Sequence, residues 1–153
     1  MYTLYWSPAS ANMVPHAMLE DIGAPYKLTK VDTSKGEQHG AEYLKINPHR
    51  RVPTMTYDDG KILYETTAMA LFLAERHPEA GFAPKIDSPD RPPFLQWMAY
   101  LTNTLQITLG QWWRPSNFID GDDRQAELKA SAEQRTDGIF RFLDTHLAGR
   151  RRR

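Results

Sequence analysis

Hydrophobic and polar positions along the first half of the chain change period repeatedly. Tyr2–Trp6 is short and aromatic, as a buried strand requires. From Asn12 to Ile22 the spacing becomes helical: Asn12 can cap, Pro15 is tolerated in the first turn, and Val14, Met18 and Ile22 share a face. Gly23, with Pro25 beyond it, stops that helix. Tyr26–Val31 predicts a second strand, parallel to the first because a helix connects them. After the polar stretch Asp32–Gly40, Val52–Tyr57 and Lys61–Tyr64 flank Asp58-Asp59-Gly60, and Asp59-Gly60 suits a tight primed turn. Thr66 to Arg76 predicts a helix with Ala68, Leu71 and Phe72 on one stripe and Pro78 past its end.

The order β-α-β, loop, β-β-α is that of a thioredoxin-like fold with a mixed four-stranded sheet. Gly81–Pro93 holds four prolines and reads as a linker. Beyond it only helices are expected. Phe94, Met98, Leu101 and Leu105 repeat at helical spacing up to Gly110. Asp122 can cap a further helix, with Gln125 completing a capping box. Leu128, Ala132, Ile139, Leu143 and Leu147 form its buried stripe, and Gly149 closes it. Gly138 in that interior costs about 1 kcal/mol relative to alanine. The expected organisation is an α/β domain over residues 1–78, a linker over 79–93 and an all-helical domain over 94–153.

Composition narrows the function. At 153 residues and 41% hydrophobic content, one ordinary domain or two small ones can pack a core. Charges balance at 19 and 19, but four of the positives are Arg150–Arg153, so the rest is mildly acidic. No basic stripe invites nucleic acid, and none is expected as a partner. The arginine run is either an anion attractor or a solvated end. Without cysteine there is no disulfide, no thiolate metal site and no cysteine nucleophile. The apolar run Ala68–Ala74 is too short to cross a bilayer, and no signal peptide precedes Tyr2, so a soluble cytoplasmic protein without membrane partners is expected. His16 and Glu20 have metal-ligand spacing but no third ligand nearby, so they read as a surface pair and no metal is expected. His39, His49, His77 and His146 are scattered. Trp112-Trp113-Arg114-Pro115 is either a stacking platform or a helix-end packing group.

Three elements carry chemistry together. A cis Val52-Pro53 bond would turn the Val52 N–H and C=O outward to pair with a peptide as an added strand, whereas a trans bond would simply begin a strand. Glu65-Thr66 stands where a helix begins: Thr66 and the first amides can hold a carboxylate, and Glu65 an ammonium, or the pair can be a plain cap. The loop Ser7–Asn12 lies between the first strand and helix. A thiol with a pKa near 8.5 is mostly protonated at neutral pH, and a hydrogen bond aimed at sulfur favours thiolate. Ser10, Asn12 or a backbone N–H can supply that bond, or Asn12 caps its helix and Ser10 fills a turn.

Tyr2-Thr3-Leu4-Tyr5-Trp6-Ser7-Pro8, Asn47-Pro48-His49-Arg50-Arg51-Val52-Pro53 and Glu65-Thr66-Thr67 resemble the cytosolic glutathione S-transferase family, nearest its bacterial beta class. The resemblance is dense over residues 1–78 and looser through Ser88–Leu147. It implies a transferase that binds glutathione as thiolate and conjugates it to small apolar electrophiles, with glutathione as co-substrate and no other cofactor, acting as a homodimer in detoxification. A non-catalytic relative serving as a glutathione-binding or protein-interaction module is the alternative. By the resemblance, Val52 pairs with the cysteinyl backbone beside Arg51 and Pro53, Glu65 and Thr66 hold the γ-glutamyl end, and Lys35 reaches the glycine carboxylate. Ser10 and Asn12 are its candidates for thiol activation, and Asn103 and Trp113 for lining the acceptor site. Ala11 stands where beta-class relatives have cysteine, which excludes exchange through an enzyme thiol. Gln106 and Ile107 replace a basic pair of those relatives. Family members also continue through more helices, so a shortened helical domain is expected, with less cover over Phe94, Trp97 and Leu143.

Overall fold

A computed structural model describes residues 1–150, so Arg151–Arg153 of the arginine run lie outside the described residues. The chain forms two compact units, Met1–Arg91 and the residues from Pro92 on.

In the first unit, β1 (Tyr2–Trp6), α1 (Met13–Ile22), β2 (Tyr26–Lys30), α2 (Ala41–Ile46), β3 (Thr54–Tyr57), β4 (Lys61–Tyr64) and α3 (Thr66–Arg76) follow in order. The sheet runs β2-β1-β3-β4. β1 pairs with β2 in parallel, as a β-α-β crossover allows, and β3 is antiparallel to both its neighbours. The thioredoxin-like architecture stands. Side chains alternate across β1, so Leu4 and its register partner Met55 face one layer, and Tyr5 with Thr54 the other. Tyr2 and Tyr57 share the Leu4–Met55 face and both touch Phe72 of α3, which places α3, and α1 packed on it, in that layer. Leu4, Leu19, Met55, Met69 and Leu73 fill it without exposure. Each such burial is worth about 1.5–3 kcal/mol. On the opposite face the Tyr43 ring of α2 meets Tyr5 edge to face, 6.0 Å between centroids.

Several local expectations change. The helix α2 replaces a presumed loop; it is a single short segment between Gly40 and Asn47-Pro48. Asn12 makes no side-chain cap and already has helical angles. The buried face of α1 is Pro15, Met18 and Leu19, leaving Val14 exposed. In α3 the buried stripe is Met69, Ala70, Leu73 and Ala74, rotated from Ala68, Leu71 and Phe72. The hairpin has a three-residue loop with positive φ at Asp58 and Gly60 but not Asp59, so it is not a two-residue primed turn.

The second unit is helical: α4 (Arg91–Tyr100, whose first residue closes the first unit), a π-helical segment Leu101–Gln106, α5 (Ile107–Trp113) and the long α6 (Asp122–Arg150). Gly110 does not end its helix, because it keeps helical geometry; its missing side chain instead admits the Phe118 ring, whose Cζ would stand 3.3 Å from a Cβ there. Asp122 is the first residue of α6 rather than its cap, following Gly121 at φ +92°, and with Asp123 it puts negative charge in the first turn. Ala132 and Ile139 are buried on the expected stripe, but His146 takes the inner position at its end and Leu147 is exposed. Gly149 lies inside the helix. Trp97 packs with Tyr100, Phe142 and His146 in an aromatic cluster. Among the described residues no helix is long and apolar enough to cross a membrane.

Candidate functional site

The sheet register brings the candidate loops to one edge. Tyr5 pairs with Thr54, Thr54 with Tyr64, and Trp6 with Lys30. The segments leaving these positions are therefore neighbours: Ser7–Asn12 after β1, Asp32–Lys35 after β2, Val52-Pro53 before β3 and Glu65-Thr66 after β4. Ser7, almost fully buried, ties the first two together through a 2.9 Å hydrogen bond between its hydroxyl and that of Thr33.

Val52-Pro53 is cis. Pro53 is buried and Val52 half-buried. Strand pairing begins only at Thr54, and among the described residues no backbone hydrogen bond uses the Val52 N–H or C=O. The Arg51 side chain is exposed, but its carbonyl is not idle: it accepts from the Tyr43 hydroxyl at 2.7 Å and from Asn47 Nδ2 at 3.0 Å. Asn47 and Thr54, 1% and 0% exposed, complete this knot, with Asn47 Nδ2 also 3.0 Å from Thr54 Oγ1 and Asn47 Oδ1 accepting from the His49 N–H at 2.9 Å. Burial raises the Tyr43 pKa, so its phenol remains a donor at any ordinary pH. Sequence reasoning missed Tyr43, Asn47 and Thr54 as a group. The available signal was Asn47-Pro48, a helix stop whose Asn side chain folds back on the backbone two residues on.

Glu65 sits exposed at φ +73°, immediately before α3. The helical ladder opens with the Met69 N–H on the Glu65 carbonyl, so the Thr66 and Ala68 amides precede it at the positive end of the helix. Lys35 is exposed and 3.6 Å from Asp32, whose carboxyl is held below its usual range chiefly by the Ser34 hydroxyl. In the first loop Ser10 Oγ donates to Asn12 Oδ1, and the Asn12 N–H reaches back to Ser10 Oγ at 3.4 Å. Asn12 is buried, with its Oδ1 engaged by Ser10. Asn103, exposed in the π-helical segment, and Trp113, 69% exposed at the end of α5 and edge-on to Trp112, belong to the second unit. No group of three His, Asp or Glu side chains among the described residues can hold a metal. His16 and Glu20 are 3.7 Å apart and both engage the Tyr26 hydroxyl.

A family profile described as "Glutathione S-transferase, N-terminal domain" matches residues 13–76. The chain is 30% identical over 156 residues to glutathione S-transferase GstB of Escherichia coli K12, covering 97% of this chain and 72% of that protein. The chain belongs to the glutathione S-transferase family. It is also 32% identical over 117 residues to the disulfide-bond oxidoreductase YfcG of the same strain, covering 72% of this chain and about half of YfcG (53%). A glutathione transferase homologue from Sulfitobacter, solved with bound glutathione, superposes with a TM-score of 0.85 at 28% identity over 94% of this chain and 68% of that one.

Proposed function

We propose that this transferase binds glutathione along the edge defined by Val52 and Glu65-Thr66, ionises its thiol in the Ser10–Asn12 loop, and conjugates it to small apolar electrophiles. The observation that carries the reading is the convergence of four loops on one sheet edge where the Val52 backbone is unpaired and α3 begins. Val52 supplies main-chain hydrogen bonds to the cysteinyl residue, with Arg51 and Pro53 as its flanks. Thr66 and the first amides of α3 take the γ-glutamyl carboxylate, Glu65 the ammonium, and Lys35 the glycine carboxylate. The thiol proton leaves to water. Thiolate then attacks the electrophilic carbon, and with an aryl halide the carbon–sulfur bond forms as halide departs with its electron pair. Asn103 and Trp113 remain candidates for the acceptor side. The resemblance extends the proposal to a cytoplasmic homodimer with glutathione as the co-substrate.

A second reaction is favoured by the likeness to YfcG. The bound thiolate attacks a dialkyl disulfide, releasing one thiolate and leaving a mixed disulfide that a second glutathione resolves; no enzyme cysteine is consumed. Steady-state rates with a chromogenic aryl halide and with a small dialkyl disulfide separate the two. Calorimetry with glutathione tests the common site: Glu65→Ala and Thr66→Ala are each expected to weaken binding about tenfold or more. Binding without turnover of either substrate would leave a glutathione-binding module, and unchanged affinity in both variants would refute the pocket.

A further inference from the structure

We propose that Tyr43, Asn47 and Thr54 are positioning residues that clasp the Arg51 carbonyl and thereby aim the Val52 N–H at glutathione. The inference rests on the glutathione reading above and names the device that orients its central contact. A peptide unit is rigid, and in the trans form its C=O and N–H point in opposite directions. The Arg51 carbonyl and the Val52 N–H belong to one such unit, since the cis bond is the following one. Three donors face the carbonyl: the Tyr43 hydroxyl at 2.7 Å, Asn47 Nδ2 at 3.0 Å and, more distantly, Thr54 Oγ1 at 3.5 Å. Thr54 Oγ1 braces the other two, 2.9 Å from Tyr43 Oη and 3.0 Å from Asn47 Nδ2. Tyr43, Asn47 and Thr54 are all under 10% exposed, so the carbonyl is drawn inward. Its N–H is turned the opposite way, outward, where no backbone acceptor of the described residues meets it.

The three residues come from two elements and the loop that joins them: α2, its terminating Asn47, and the first residue of β3. The hydrogen bonds close a circuit. Tyr43 gives its proton to Arg51, the Thr54 hydroxyl lies within reach of both Tyr43 Oη and the Arg51 carbonyl, and the two hydrogens of Asn47 Nδ2 serve Arg51 and Thr54. Meanwhile Asn47 Oδ1 takes the His49 N–H at 2.9 Å, which fixes the amide's orientation. Removing one hydroxyl therefore frees the Arg51–Val52 peptide to tilt without opening a large cavity.

The test compares wild type with Tyr43→Phe, Thr54→Val and Thr54→Ser, measuring glutathione affinity by calorimetry well below each unfolding midpoint and Val52 amide exchange on the same samples. Tyr43→Phe and Thr54→Val are expected to raise the glutathione Kd about five- to tenfold and to speed Val52 amide exchange, while Thr54→Ser, which keeps the hydroxyl, stays within about twofold of wild type. A purely structural role would lower the unfolding midpoint and leave Kd unmoved. Wild-type Kd in folded Tyr43→Phe and Thr54→Val would overturn the clasp while sparing the glutathione site. Failure of the wild type itself to bind glutathione would overturn the site reading and the clasp's purpose with it. Should Thr54→Val not fold, Tyr43→Phe, which retains the ring packed on Tyr5, decides the matter.

Discussion

The Ser10–Asn12 pair makes a prediction about which side chain faces the sulfur. A hydroxyl has one proton, and Ser10 gives its proton to Asn12 Oδ1. That leaves the Asn12 Nδ2 hydrogens as the side-chain donor of the loop, with Ser10 holding the amide in place. Truncating Asn12 costs no helix cap, because its side chain makes none. Loss of a hydrogen bond to a charged group is worth about 1.5–3 kcal/mol, so Asn12→Ala is expected to raise the bound thiol's pKa by about 1–2 units. Ser10→Ala loses only the neutral bond that orients the amide, about 0.5–1.5 kcal/mol, and should raise it by about 0.4–1.1 units. In the Asn12→Ala background, Ser10→Ala should add almost nothing, since there is no amide left to orient. The ultraviolet absorbance of thiolate, titrated in the glutathione complex of all four proteins, reads each pKa directly. An equal Ser10→Ala shift with and without Asn12 would refute the arrangement and make Ser10 the direct donor.

Two further predictions concern stability. Arg76 grips Asp58 through two guanidinium nitrogens, at 2.9 and 2.5 Å, and this bond holds the Asp58 carboxyl below the usual carboxylate range. The folded pKa is depressed, so the pair's contribution is present above the unfolded value and lost as pH falls through the folded one. Asp58→Asn should thus lower the thermal midpoint at pH 7, with the gap from wild type closing as pH drops below about 4; a constant gap would contradict it. In α6, a Cβ at Gly138 would meet nothing within 4 Å, so Gly138→Ala should gain about 1 kcal/mol in denaturant unfolding. Gly110→Ala should gain much less, because the Phe118 ring stands 3.3 Å from its Cβ position. Equal gains at both glycines would show that Phe118 yields without cost.

What the sequence could and could not disclose follows from how each feature is encoded. The β-α-β, β-β-α order was legible because its strands and stops are marked locally, by Tyr2–Trp6, Gly23-Ala24-Pro25 and Asp58-Asp59-Gly60. The phase of α3 was not, since Thr66–Arg76 is apolar at so many positions that period alone fits the stripe Met69-Leu73 as well as Leu71-Phe72. In α6 the apolar positions are sparse among charges, so Leu128, Ala132, Ile139 and Leu143 fell on the inner face, and only the last turn slipped, from Leu147 to His146. Gly110 misled because glycine serves two ends: it tolerates a left-handed stop, and it admits a close neighbour such as Phe118. The site shows the same division. Val52-Pro53 and Glu65-Thr66 could be picked out because proline and helix-start chemistry are properties of adjacent residues. The direction of the Val52 N–H is set instead by donors at positions 43, 47 and 54, which meet only once α2 lies against β3. Recognition of a peptide backbone therefore depends on residues that never touch it, and substitutions in that buried knot should alter binding as surely as substitutions at the edge itself.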